Sequence, residues 1–169
     1  EQTVGDAALR LVQAEHGASR AAALSRRRAA RLSGFFAADI VHRDEPLARI
    51  DVVEIDPELV QLARQYFSFK ENPRVTVIHE DGRIFLNRNR ATYNIIFNDA
   101  FLSYGNMPFQ LTTVEAVRRM YDSLDDKGIV ATNLLSVIGG PKSNFLQAEY
   151  VTYKKIFPVV YAMRASDLP

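Results

Sequence analysis

From residue 50 onward the chain alternates short β-branched runs with helix-length segments, and that alternation leaves few folds open. Residues 50–55 (IDVVEI) read as a strand. Asp56 and Pro57 then supply an N-cap and a proline at the first helical position, and Leu59, Leu62, Ala63 and Tyr66 follow at helical spacing. Asn72 and Pro73 break the chain before a second strand at 75–79 (VTVIH). Asp81-Gly82 is a turn ahead of a short helix carrying Ile84, Phe85 and Leu86, and 93–98 (YNIIFN) is a third strand. A loop over 100–111 leads to Thr112 or Thr113 as the cap of a helix through Leu124. Gly128 ends that unit, 129–135 is a fourth strand, 143–156 a helix and 158–163 a fifth strand. Strands that alternate with helices make β-α-β units, a mostly parallel sheet, and right-handed crossovers with helices on both faces.

Composition excludes several other classes. Apolar residues are 47% and charged residues 24%, with a formal net charge of +1, which suits a globular domain and not a nucleic-acid surface spread over the chain. There is no cysteine, and the three histidines (His16, His42, His79) are scattered, so no metal is expected. No stretch reads as an apolar membrane span, and no membrane association is expected. Residues 17–32 (GASRAAALSRRRAARL) are mostly Ala and Arg, which predicts helix across 6–32, broken at Gly17. Leu9, Leu11, Val12, Leu24 and Leu32 make no long stripe there. A solvated basic helix is therefore favoured over a contact for an acidic partner or an anionic membrane.

Ligands of parallel α/β sheets bind beyond the carboxyl ends of the strands, which directs attention to Glu54, Asp81 and Asp99. A carboxylate at Glu54 suits both ribose hydroxyls of a nucleotide; the alternative is an acid merely close to a helix dipole. Asp81 suits an amino group such as that of adenine, with Gly82 letting a base approach the backbone. Alternatively it caps the following helix. Asp99 suits a base or an anchor for a cationic substrate, against an ordinary turn acid. Pro108 suits a flat contact with an adenine ring, against a proline that only sets loop geometry.

These residues lie in segments that resemble the polyamine aminopropyltransferase (spermidine synthase) family and its spermidine-synthase-like branch. The resemblance is carried by VVEIDPELVQLAR (52–64), NPRVTVIHEDGRIFL (72–86), YNIIFNDAF (93–101) and PFQLTTVEAVRRMYDSLDDKGIVATN (108–133). It implies a Rossmann-like class I methyltransferase sheet and a cytoplasmic transferase of polyamine biosynthesis that forms a homodimer. Its ligands would be a small nucleotide and an amine. The nucleotide would be decarboxylated S-adenosylmethionine as substrate, or S-adenosylmethionine in a methyltransferase relative. Glu54 would hold the ribose, Asp81 and Gly82 the adenine edge and Pro108 its face. Asp99 would match the first acid of the catalytic segment, which orients and helps deprotonate the attacking amine.

The chain departs from that family in four places, one being that the family's small N-terminal β domain, which helps cover the polyamine site, is expected to have no counterpart. The family's glycine-rich loop precedes the ribose acid by about twenty residues, yet only Gly17 and Gly34 lie between Gly5 and Gly82. If residues 35–41 were the first core strand, too little chain would remain for a crossover, so the first strand-loop-helix unit is expected to be missing or replaced. The second catalytic acid is replaced by Leu102. The closing strand would lie beyond Pro169. The expectation is a helical segment over 1–49 outside the family, then a partial domain over 50–169 whose sheet is incomplete at both ends. Three functions follow from these features: aminopropyl transfer to an amine, S-adenosylmethionine-dependent methyl transfer, or a non-catalytic or truncated domain without its cofactor loop.

Overall fold

A computed structural model describes residues 7–12, 28–32, 48–67, 69, 73–102, 107–141 and 143–164. They form β1 (Ala7–Val12), β2 (Arg28–Leu32), β3 (Arg49–Glu54), α1 (Pro57–Tyr66), β4 (Val75–His79), α2 (Gly82–Arg88) and β5 (Tyr93–Asn98). A 3-10 turn at Phe109–Leu111 precedes α3 (Val114–Asp122), β6 (Leu124–Leu134), α4 (Asn144–Lys154) and β7 (Tyr161–Arg164). Each of the first three helices starts at a side-chain cap. Asp56 accepts from the Glu58 amide at 2.8 Å, Asp81 from those of Arg83 and Ile84, and Thr113 from that of Ala116 at 3.1 Å.

The described strands make one sheet in the order β4-β3-β2-β5-β6-β1-β7. Strands β2 to β6 pair with one another in parallel, and β1 is antiparallel to both β6 and β7. The chain steps outward from β2 through β3 to β4, then returns to the other side of β2 to lay down β5 and β6. That reversal opens a crevice at the carboxyl ends of the strands. Successive side chains of a strand point to opposite faces. Accordingly, Ile50 and Val52 of β3 pack with Val60 and Ala63 of α1 in one cluster, whereas Val53 joins Phe85 and Leu86 of α2 in the other. Helices thus cover both faces. Full burial of each such aliphatic side chain contributes on the order of 1.5–3 kcal/mol, and the larger cluster continues through Ile96, Val117, Met120, Val130 and Tyr153.

Helix across 6–32 does not hold where the structure describes those residues, because 7–12 and 28–32 are strands. The RAARL segment favours helix by the propensity of its alanines, arginines and leucine. Here its backbone is paired on both edges, Arg28–Leu32 against Arg49–Val53 of β3 and Ala29–Leu32 against Ile95–Asn98 of β5, and tertiary pairing overrides propensity. The first core strand is therefore present, and it lies upstream of the segment at 35–41, which falls outside the described residues. Residues 33–48 then separate β2 from β3, more than the dozen or so a parallel crossover needs. At the other end of the sheet, β1 fills the slot between β6 and β7, with Ala7 opposite both Leu134 and Arg164.

Strand β6 begins at Leu124, earlier than residue 129, because the DDKG segment is a bulge and not a helix end. Tyr93 pairs with Leu124 but Ile95 with Ile129. Asp125 accepts from the side chain of Asn94 and from the Lys127 amide, and Gly128 closes the irregularity. A Cβ on Gly128 would sit 2.8 Å from the Leu124 Cβ and 2.9 Å from the Tyr93 carbonyl oxygen. Gly128→Ala is accordingly expected to cost about 1–3 kcal/mol, read as a lower urea midpoint at unchanged m-value.

Helix α4 follows Gly139 and Gly140, whose φ values of 83° and 76° are a turn that side-chain-bearing residues rarely adopt. Its Tyr153 hydroxyl lies 2.7 Å from Thr132 Oγ1 of β6. Burial pushes the Tyr153 phenol up to about 12 and the carboxyl of Glu149, one turn earlier, up to about 7.

Candidate functional site

A cleft of about 310 Å³ opens beyond the carboxyl ends of β3, β4 and β5, within the range of small-ligand sites. Glu54, Asp81, Gly82 and Pro108 all line it. Among the described residues no helix is long and apolar enough to cross a membrane, and no three His, Cys, Asp or Glu side chains cluster as metal ligands would.

Glu54 is the last residue of β3 and is 2% exposed. Its Oε1 accepts from the Asp56 amide at 3.0 Å, which fixes the side chain at the mouth of the β3–α1 turn. Its Oε2 is buried with no hydrogen-bond partner among the described residues. A buried carboxylate oxygen left unpaired is costly. Its position on the cleft wall matches a site for a hydroxyl donor from a ligand. The neighbouring Asp56 is committed to capping α1.

Asp81 takes up the capping role, and its second oxygen faces the cleft. Its Oδ1 caps α2 through the Arg83 and Ile84 amides at 2.8 and 3.0 Å. Its Oδ2 accepts from Gln110 Nε2 at 3.3 Å, on the cleft side. Gly82 is the first residue of α2. Pro108 is buried and opens the 3-10 turn by accepting the Leu111 amide at 2.9 Å. That turn delivers Gln110 to Asp81, across the cleft from the β4–α2 turn. Gln110 carries no motif of its own and was not singled out from sequence; only the turn geometry brings it to the site.

Asp99 follows β5 directly. It is half-buried, and its Oδ1 accepts from Asn133 Nδ2 of β6 at 3.0 Å. Asp99 itself is not among the cleft-lining residues, but the next three, Ala100, Phe101 and Leu102, are. The structure therefore brings Glu54, Asp81, Gly82 and Pro108 into one cleft and sets Asp99 at its border. Of the remaining acids in the cleft, Glu80 is paired with Arg88, whose Nε lies 2.7 and 2.8 Å from its two oxygens.

Comparison with known proteins fits this arrangement. The family model for the spermine/spermidine synthase domain matches residues 34–165, so the match begins ahead of the boundary expected at 49/50. The N-terminal histidine N-methyltransferase of Emericella nidulans is 35% identical over 124 residues, 70% of this chain and 21% of that protein. The polyamine aminopropyltransferase of Streptococcus uberis is 39% identical over 88 residues, half of this chain and 30% of that protein. The chain thus spans less than a third of the length of either. A probable spermidine synthase from Corynebacterium glutamicum superposes with a TM-score of 0.59 at 29% identity, covering 66% of this chain and 40% of that one. Human methyltransferase-like protein 13, solved in complex with SAH, superposes at 0.64 over 80% of this chain and 64% of that one, and at 23% identity it speaks for the fold. With its parallel core, helices on both faces and a match over most of its length, the chain belongs to the spermine/spermidine synthase domain family and has the Rossmann-like class I methyltransferase fold.

Proposed function

We propose that the chain binds the nucleoside of an S-adenosyl sulfonium compound and transfers an aminopropyl group from decarboxylated S-adenosylmethionine to an amine. The observation that carries this reading is the free, buried Oε2 of Glu54 on the cleft wall. An anionic acceptor there suits the two hydroxyls of a ribose. Asp81 and Gln110 then present an acceptor and an amide to the edge of the adenine, with Pro108 against its face. Among the described residues, the charged ones lining the cleft are all acids, which complements a ligand with a sulfonium and an ammonium better than one with a carboxylate tail. Similarity to polyamine aminopropyltransferases supports the same reading.

In the transfer, the amine nitrogen bonds to the carbon attached to sulfur as that carbon's bond to sulfur breaks. Sulfur keeps the electron pair as a neutral thioether, and the nitrogen sheds its proton toward Asp99. Asn133 holds Asp99 by its Oδ1 at the border of the cleft. The work of the protein is alignment of nitrogen and carbon, with carboxylates complementing the cations.

Leu102 favours a second reading. It stands where the family's second catalytic acid would be, and methyl transfer from S-adenosylmethionine to an amine needs no such acid. Similarity to an N-methyltransferase supports it. Calorimetry separates the two. Binding of decarboxylated S-adenosylmethionine and methylthioadenosine, with S-adenosylmethionine at least tenfold weaker, is the expected result. Tighter S-adenosylmethionine binding selects methyl transfer, and no binding by any of the three to folded protein leaves a non-catalytic domain.

A further inference from the structure

Glu149 lies on the buried side of α4 with Leu146 and Tyr153, and is 3% exposed. Its Oε2 is buried with no hydrogen-bond partner among the described residues. The same holds for Oδ1 of Asn98, the fully buried last residue of β5. Both residues act on the Tyr153 hydroxyl, Asn98 through a side-chain contact and Glu149 through its charge. That hydroxyl lies 2.7 Å from Thr132 Oγ1 of β6 and 3.8 Å from Met120 Sδ of α3. The cluster therefore ties α4 to the sheet and to α3.

The cluster is short of hydrogens. Tyr153 and Thr132 bring one O–H each, and one of the two is spent on the bond between them. Asn98 Nδ2 is directed at Met107 Sδ, 4.0 Å away. Two buried acceptor oxygens are left without a donor. Glu149 makes no ion pair among the described residues. Ionised there, it is a buried charge with neither donor nor counter-ion, whereas the acid form carries its own hydrogen and no charge. Of the groups that meet this packing from other elements, Asn98, Thr132 and Met120 do not titrate. From α3 come Tyr121, edge-on to Phe157, and Arg118, which lies over the Tyr121 ring. On α4 itself, Tyr153 stays a neutral phenol, held up to about 12 by burial.

We infer that Glu149 is a pH sensor built into the fold: it is protonated while α4 is docked in mildly acidic solution, and its ionisation in mildly alkaline solution loosens α4 from β5 and β6. The inference is independent of what the cleft binds. The unfolded chain ionises this carboxyl near the ordinary 4.5, and the folded chain only near 7, because burial lifts it. The folded state thus binds the proton more tightly. Its contribution to stability is complete below the lower value and is lost as pH rises through the higher one. Urea unfolding of the full chain at pH 5.5 and 8.5, beside Glu149→Gln, reads this out. The glutamine has the shape of the protonated acid and no charge to expose. The two chains are expected to unfold alike at pH 5.5. At pH 8.5 the folding constant of the unaltered chain should fall below that of the variant by a further factor on the order of a hundredfold. A gap between the two chains that is the same at both pH values overturns the inference and leaves Glu149 a structural residue. A second measurement needs no variant: the infrared difference spectrum of the folded, unaltered chain between pH 6 and 8.5. It is expected to show the carbonyl band of one protonated carboxyl at the lower pH, replaced by carboxylate at the higher. A spectrum without that band overturns the inference even if Glu149→Gln fails to fold.

Discussion

Glu54→Ala lowers methylthioadenosine affinity by about ten- to a hundredfold, the expected consequence of removing charge-assisted hydrogen bonds worth roughly 1.5–3 kcal/mol. The carboxylate has two separable tasks. Oε1 holds the Asp56 amide and so the entry to α1, and Oε2 is the free acceptor. Glu54→Gln keeps an oxygen for the Asp56 amide and loses the charge, so it should lose affinity while melting close to the unaltered protein. Titration calorimetry on both variants, alongside thermal melts, reads the two tasks apart. An affinity unchanged in Glu54→Ala removes Glu54 from the site.

Asp99→Asn is the second large effect. The amide oxygen can still accept from Asn133 Nδ2, so the strand end keeps its geometry, but the group no longer takes a proton from an amine. Removal of a positioned base commonly lowers turnover by about a hundredfold or more. The expected result is that loss in kcat for whichever group the calorimetric order selects, with methylthioadenosine affinity within about twofold of the unaltered chain. Turnover that survives the substitution would make Asp99 an ordinary strand-end acid.

Much of the sheet was legible because its signals are local. The VTVIH and YNIIFN runs are strands over the residues read from sequence, and Asp56, Asp81 and Thr113 cap the helices that follow them. The misreadings occur where partners distant in sequence decide. Alanine and arginine around residue 30 favour helix until β3 and β5 pair with them. The early start of β6 depends on a bulge set by Tyr93 and Asn94, some thirty residues away. The site divides in the same way. Glu54, Asp81 and Pro108 stand at turns that local sequence announces, whereas Gln110 reaches Asp81 only because a 3-10 turn folds back across the cleft.

The position of β1 bears on how the chain acquires its structure. Residues 7–12 leave the ribosome before any strand they pair with, and both partners, at 129–134 and 161–164, are the last of the described strands. Closing so long a loop carries an entropic penalty that local contacts do not meet, and topologies dominated by such pairings fold slowly. Until β7 has been synthesised, β1 has at most one neighbour, and the β6 edge offers a row of unpaired amides and carbonyls to any strand nearby. The parallel core from β2 to β6 can assemble in chain order. Insertion of the first strand between two of the last is then the event that seals the sheet, and the stage at which a crowded nascent chain is most open to mispairing with its neighbours.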